Sequence, residues 1–335
     1  MKRRLNSFLF ILLIVAVAST LHAASFEAVK RSAEQGDTAS QFKLGQRYEA
    51  GKGVNQDFAM AAKWYRKAAQ QGHSKAQTNL GNLYRWGKGV NKGFDEAMRW
   101  YRKAAGQEDT KAQINIAMMY ANGLGVDKDE AEGRKWLQRA ASAGDTQAMV
   151  HLGNLYKMGK GVEKNYEMST EWFRLAAEKG DTVAQHTLGL SYFTGKGLKK
   201  DYAQSVKWHR KSANKGYPPA EYSMGLRYTK GNGVKRDYSA AVKWYRKAAK
   251  HRHPSAQNNL GLMYRRGQGV SQDYGEAIKW FRKAAERGHP QAQFNLGNMY
   301  LKGQGVKKDP EEARKWFTKA AKAGHRGSRK ALDSL

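Results

Sequence analysis

The chain has 335 residues, no cysteine, and 60 lysines and arginines against 29 acidic residues, for a formal charge of +31. The missing cysteine excludes disulfides, thiolate metal sites and a lipid anchor on an N-terminal cysteine. So large a basic excess implies anionic neighbours (lipopolysaccharide, acidic polysaccharide or an acidic protein) except where it is only the solvated face of repeated elements.

Residues 1–23 read as a secretory signal peptide. Lys2, Arg3 and Arg4 precede an uncharged apolar run from Phe8 to Val17. Ala23 then offers a small residue for cleavage before Ala24, with Leu21 at the third position back from the cut. The apolar run is shorter than the roughly 20 residues of a membrane span, which favours cleavage over retention as an anchor. Setting aside the three basic leader residues leaves +28. The expectation is a periplasmic or secreted chain with no transmembrane segment after leader cleavage, a location that argues against nucleic acid as partner.

From residue 38 to 325 the sequence repeats itself. Tryptophan recurs at 64, 100, 136, 172, 208, 244, 280 and 316, always at intervals of 36. Tyr48 and the glycine pair that opens at Gly51 recur with the same step, without an insertion or deletion, through Tyr300 and Gly303. A period of this size marks a solenoid of stacked units. Each unit predicts two helices. In the seventh, Ala256, Leu260, Met263 and Tyr264 lie at helical spacing, as do Ala277, Trp280, Phe281, Ala284 and Ala285. Gly267 and Gly269 between them stop the first helix and permit a tight reversal. Asp57, Asp129, Asp201, Asp237, Asp273 and Asp309 are expected N-caps of the second helices, replaced by Gly93 and Asn165 in two units. Gly72, Gly144, Gly180, Gly216 and Gly288 end the second helices, and Pro218, Pro254 or Pro290 opens the next first helix. Residues 24–37 read as an N-terminal cap helix with Ala28 where the tryptophan belongs, and 326–335 as a C-terminal cap with Leu332 at the leucine position.

The recurring Ala-x-x-x-Leu-Gly-x-x-Tyr-x-x-Gly-x-Gly-Val-x-x-Asp-x-x-x-Ala-x-x-Trp-Tyr-Arg-Lys-Ala-Ala resembles the SEL-one-like repeat, a relative of the tetratricopeptide repeat. Repeat 3 departs from it with Ala117 and Gln138, and repeat 4 with Leu175. The resemblance implies an all-α, right-handed solenoid of antiparallel helix pairs that works as an adaptor. Relatives in bacteria are often exported, and some have been linked to penicillin binding and β-lactam hydrolysis.

That chemistry is not carried by these residues. Ser40…Lys43 and Ser212…Lys215 fit Ser-x-x-Lys but occupy different repeat positions, and no Lys-Thr-Gly or Ser-Asp-Asn accompanies them. His73, His253, His289 and His325 all fall at the same inter-repeat turn, where copies about 10 Å apart are too distant to share an ion. The Gly-Lys-Gly turns lack the strand and the Gly-Lys-Ser/Thr ending of a phosphate loop. In the Lys-Trp-Tyr-Arg-Lys blocks the tryptophan is spaced to face the core, and Arg66, Lys67, Arg102 and Lys103 to face water. No enzyme, metal or cofactor is expected.

By analogy with tetratricopeptide superhelices, the first helices line a concave binding face. The residue after the repeat glycine gives Asn82, Asn154, Leu190, Leu226 and Leu262; the residue after the tyrosine gives Arg85, Lys157, Phe193 and Arg265. Trp86 follows Arg85 and stands outside the repeat position, and Tyr222 lies alongside Leu226. A face polar and basic in repeats 2 and 4 and apolar in repeats 5 to 7 suits a protein segment with an acidic half and an apolar half. Anionic envelope polysaccharide is the alternative partner, held mainly by charge.

Overall fold

The computed structural model describes residues 26–335, so the expected leader at 1–23 lies outside the described residues. Among the described residues there are eighteen helices and no strand, and the architecture is an all-α solenoid of 36-residue pairs. Residues 26–34 form α1. Then come Thr38–Ala50 and Phe58–Gln70 (α2, α3), Ser74–Trp86 and Phe94–Ala105 (α4, α5), Thr110–Asn122 and Glu130–Ser142 (α6, α7), and Thr146–Met158 (α8). Tyr166–Glu178 (α9) precedes Thr182–Thr194 and Tyr202–Asn214 (α10, α11), and Pro218–Lys230 and Tyr238–Lys250 (α12, α13). Pro254–Arg266 and Tyr274–Ala285 (α14, α15), Pro290–Lys302 and Pro310–Lys322 (α16, α17) and Arg326–Asp333 (α18) complete the chain. The chain forms two compact units, one ending at Glu163 and the other starting at Lys164. Within each, helices pack mainly on their chain neighbours.

Local chemistry fixes both ends of nearly every helix. Asp57, Asp129, Asp201, Asp237, Asp273 and Asp309 each accept a hydrogen bond from the third backbone N–H of the helix they cap, and Asn165 does the same. Gly93 caps without a side chain. The histidines of the inter-repeat turn have the same role. His73, His253 and His289 accept through Nδ1 from Ala76, Ala256 and Ala292 at 3.2, 3.3 and 3.2 Å, where Asp37, Asp109, Asp145 and Asp181 serve in other repeats. First helices end on a left-handed glycine such as Gly51 or Gly87. The second glycine of the turn has a different reason. In Gly89 a Cβ would run into the backbone of Phe58, at the start of the preceding second helix, so the turn of one repeat rides directly on the repeat before it.

The centre of each pair is a notch and a ring. A Cβ on Gly45 or Gly81 would stand 2.6 Å from the ring of Tyr65 or Tyr101, twenty residues on, and both tyrosines are wholly buried. Gly261 and Gly297 receive Phe281 and Phe317 at the same 2.6 Å. Around them Ala61, Ala68, Ala76 and Leu80, and their equivalents, close the core. In repeat 3 both partners change: Ala117 stands for the glycine and Leu137 for the ring, and both are buried.

The tryptophan was expected to face the core, and it does so at the margin: Trp64 and Trp316 belong to core clusters, and Trp100, Trp136, Trp244 and Trp280 pack against them. Only Trp64, Trp208 and Trp316 are buried; Trp100, Trp136, Trp172, Trp244 and Trp280 are half-buried. The ring that enters the notch is the next residue, and it is the more completely buried of the two, as at Tyr65 and Tyr245. Seven of the eight repeat tryptophans also carry a cation three residues on: Lys67, Lys103, Arg139, Lys211, Lys247, Lys283 and Lys319 sit 4.2 to 4.7 Å from the ring centroids. Trp172 has no such cation, because Leu175 occupies that position.

The glycine that ends a second helix is replaced in two repeats. Glu108 and Arg252 both hold φ of 63° where Gly72 and Gly144 hold 91° and 92°. An L-residue there carries a Cβ clash of about 1–2 kcal/mol, partly offset by the greater chain entropy of an unfolded glycine. Glu108→Gly is therefore expected to raise unfolding free energy by about 1 kcal/mol, seen as a higher urea midpoint at unchanged slope. A lower midpoint would show that the acidic side chain stabilises the turn by another route.

Candidate partner-binding surface

The outer face of the first helices is where the expected binding residues lie, and the notch decides what several of them do. Where the ring is a tyrosine, its hydroxyl passes through the notch and emerges at these positions. Tyr101 donates to Asn82 Oδ1 at 2.7 Å, Tyr65 donates to Glu49, and Tyr245 shares a 3.0 Å hydrogen bond with Thr229. Asn82 Oδ1 also accepts from Asn115 at 3.1 Å, so this amide is held in an internal network. Arg85 lies over the Trp86 ring at 4.8 Å, and Trp86 itself is 62% exposed. Asn154 is half-buried and Lys157 exposed; beside them Met158, at the repeat position of Trp86, is 54% exposed.

In the second unit the apolar candidates divide. Leu190 is 38% exposed, whereas Leu226 and Leu262 are half-buried against the clusters around Tyr245 and Phe281. Phe193 is covered: the guanidinium of Arg227 lies 3.5 Å from its ring centroid and Tyr202 lies at 5.3 Å. Arg227 is itself buried, at a position that holds Leu83, Met119 or Met263 elsewhere. Tyr222 stacks on the capping His253 at 4.8 Å, and Arg265 is half-buried. The sequence reading missed Met158 and the Arg227–Phe193 pair; Arg47 and Ser191 also break the leucine-or-methionine pattern at that position, so Arg227 gave no distinct signal.

The positive charge also has an internal role. Besides the cations on tryptophan, Arg66, Arg102, Arg210, Arg246 and Arg282 each donate to the tyrosine hydroxyl eighteen residues on. An exposed cation–π contact contributes about 0.5–1 kcal/mol, so the cations on tryptophan brace their own repeat, while the arginines on tyrosine tie it to the next.

A glycine notch recurs in every unit but the third and a left-handed turn glycine in every unit, and eight consecutive Sel1 repeats match residues 38–73, 74–109, 110–145, 146–181, 182–217, 218–253, 254–289 and 290–325. The chain belongs to the Sel1-repeat family. It is similar to a Sel1-repeat protein of Oxalobacter formigenes, at 34% identity over 92% of this chain and 89% of that one, with a TM-score of 0.69. It also resembles a protective antigen of uropathogenic Escherichia coli with an SLR fold, at 35% identity over 91% and 73% of the two chains and a TM-score of 0.64. Comparison with the curated proteins finds no match. Sel1-repeat proteins generally mediate protein–protein interaction, and they are generally non-catalytic scaffolds.

The Ser-x-x-Lys pairs of this Sel1-repeat protein are engaged elsewhere. Ser212 is wholly buried and donates to the Thr182 carbonyl at 2.7 Å, while Lys215 donates to the Gly180 carbonyl at 2.6 Å. Ser40 donates to Ser32 at 3.0 Å, and Lys43 is exposed. Among the described residues no group of three His, Cys, Asp or Glu is placed to hold a metal, and no helix is long and apolar enough to cross a membrane.

Repeat 5 puts a titratable ring in the notch. His209 occupies the tyrosine position against Gly189, wholly buried, with neither ring nitrogen hydrogen-bonded, and its ring lies 5.0 Å from that of His186. Burial, with His186 and Arg227 nearby, pushes its pKa down to about 3; burial, with a smaller contribution from His253, pushes His186 down to about 4. Because both folded values lie below the unperturbed 6.5, the unfolded chain binds more protons in acid, so stability is full above pH 6.5 and falls toward pH 3 to 4. Restoring the ring that repeats 1, 2 and 6 use should remove part of this loss. Between pH 7.5 and 4.5, His209→Tyr is expected to lose about 2 kcal/mol less unfolding free energy than the native chain in urea titrations. An equal loss in both would show that His209 does not stay neutral when the chain is folded.

Proposed function

We propose that this Sel1-repeat protein is a non-enzymatic scaffold of the bacterial periplasm or envelope that holds an extended segment of a partner protein on the face of its first helices, the concave face by analogy with tetratricopeptide repeats. The observation that carries the reading is where apolar surface is left open. Of the five large apolar side chains exposed among the described residues, Trp86, Met158, Val183 and Leu190 lie on first helices and only Met168 on a second helix. Arg85 and Lys157 stand beside Trp86 and Met158, so apolar anchors and cations alternate there. Apolar anchors of this kind dominate affinity for a peptide, while exposed charges mostly govern encounter. The partner segment is accordingly one that combines acidic and apolar residues. Envelope polysaccharide fits less well, since much of the basic surface is already seated on aromatic rings.

The test is capture from the native periplasm followed by mass spectrometry, comparing the native chain with Leu190→Asp and Trp86→Ala. Leu190 is preferred to Leu226, whose half-buried side chain would confound binding with folding. Leu190→Asp is expected to abolish capture of the specific protein partner. Trp86→Ala should weaken binding by about 1–2 kcal/mol, both with unchanged circular dichroism. The captured bait should begin at Ala24 on N-terminal sequencing. Unaltered capture by both variants, loss of binding at moderate salt for all three alike, or a full-length cytoplasmic protein would overturn this reading.

A further inference from the structure

One repeat has neither the notch glycine nor the ring. In repeats 1, 2 and 6 a tyrosine fills the space behind the first helix and its hydroxyl reaches Glu49, Asn82 or Thr229. The equivalents of those residues in repeat 3 are Ala121, for Glu49 and Thr229, and Met118, for Asn82. Leu137 is too short to reach either, and Gly133 stands where the other second helices carry an alanine or serine such as Ala61, Ala97 or Ser205. At Gly133 a Cβ would stand 2.9 Å from the Ala117 carbonyl, so that glycine serves close packing of the two helices. The truncations at 121 and 137 fall together. They open a cleft of about 500 Å³ between α6, α7 and α8, whose walls include Ala117, Met118, Ala121, Leu137, Leu155 and Met158. That is a volume typical of sites that enclose a ligand group. Repeat 5 is the informative contrast: there the tyrosine is also lost, to His209, but Phe193 and the buried Arg227 pack together over the face. Nothing equivalent closes repeat 3, whose counterparts of those two residues are Ala121 and Leu155.

The mouth of the cleft is basic. Lys128, Arg134 and Lys160 line it, against one carboxylate, Glu130, which pairs with Lys128 at 2.8 Å. Arg134 donates to the Gly161 carbonyl, which leaves its charge uncompensated, and Lys160 is exposed. His151 lies in the wall, where burial lowers its pKa.

We propose that this cleft is the anchor site of the scaffold, taking one large apolar side chain (leucine, methionine or phenylalanine) from an acidic segment of the partner protein. The inference rests on the scaffold reading and adds where that segment is gripped. Apolar walls of two methionines and two leucines adapt to an aliphatic or aromatic side chain. The three cations at the rim attract carboxylates that flank it, and reject a basic flank.

The probe is a set of fluorescein-labelled twelve-residue peptides with a glutamate- and aspartate-rich frame and Leu, Met, Phe, Ala or Lys at one central position. Binding is read by fluorescence polarisation. The native chain is expected to bind the Leu, Met and Phe peptides at least tenfold tighter than the Ala peptide. The double substitution Ala117→Gly with Leu137→Tyr rebuilds the pair found in repeats 1, 2 and 6 and fills the cleft with a ring. It should keep the fold and erase that preference. In the native chain labelled at methionine methyls, Met118 and Met158 should shift on adding the Leu peptide, a readout that requires no variant. Peptides that bind without any preference at the central position, or a preference that survives in the folded double variant, overturn the anchor site and leave the scaffold reading standing. Absence of binding by every peptide, with capture of a periplasmic partner retained, also overturns the anchor site. Loss of both overturns the scaffold reading with it.

Discussion

The structure depends on a missing side chain. A helix pair of thirteen-residue helices has little apolar surface, and here the second helix presents mostly alanine to its partner. What lets the two helices approach is the glycine midway along the first, which removes the one Cβ that would collide with the aromatic ring of the second. The ring then buries its full area in the gap, a contribution of about 1.5–3 kcal/mol for each large side chain. The glycine weakens its own helix by roughly 1 kcal/mol relative to alanine, a cost that the ring more than offsets. The turn glycines extend the same logic from one pair to the next, since Gly89 lets its turn lie on the backbone of Phe58.

That constraint reaches the surface. A tyrosine in the notch delivers a hydroxyl to the outer face, and Asn82 and Thr229 are oriented by it. A histidine delivers nothing and introduces an ionisable ring into a buried site. A leucine leaves a cleft. One interior position therefore sets whether the face of a repeat is braced, acid-sensitive or open. Repeats with the same helix pair and turn can therefore present different faces.

Helix ends, turns and the repeat period were legible because each is set by residues close in sequence. An aspartate three residues before the N–H it accepts from, a proline at a first helical position and a left-handed glycine act within one turn of chain. Which of two adjacent ring positions enters the notch was not legible from spacing at 64 and 65, and both side chains there are buried. The pairing of Ala117 with Leu137 was the clue, because the tryptophan at 136 did not change when the glycine did. The binding face was harder still. Leu190 and Leu226 share a repeat position, yet one is exposed and the other packs on the Tyr245 cluster, because their surroundings come from neighbouring repeats. Phe193 looked open in sequence and is covered by an arginine thirty-four residues away.

The most direct test of the notch is a double-mutant cycle in repeat 2, measured as unfolding free energy in urea. Gly81→Ala alone should destabilise by about 1–3 kcal/mol despite the better helix propensity of alanine, since its Cβ meets the Tyr101 ring. In the Tyr101→Leu background the same Gly81→Ala change should become neutral or stabilising, by up to about 1 kcal/mol, which reproduces the Ala117–Leu137 pair of repeat 3. If Gly81→Ala has the same effect in both backgrounds, the glycine and the ring are not coupled, and the account of the fold fails.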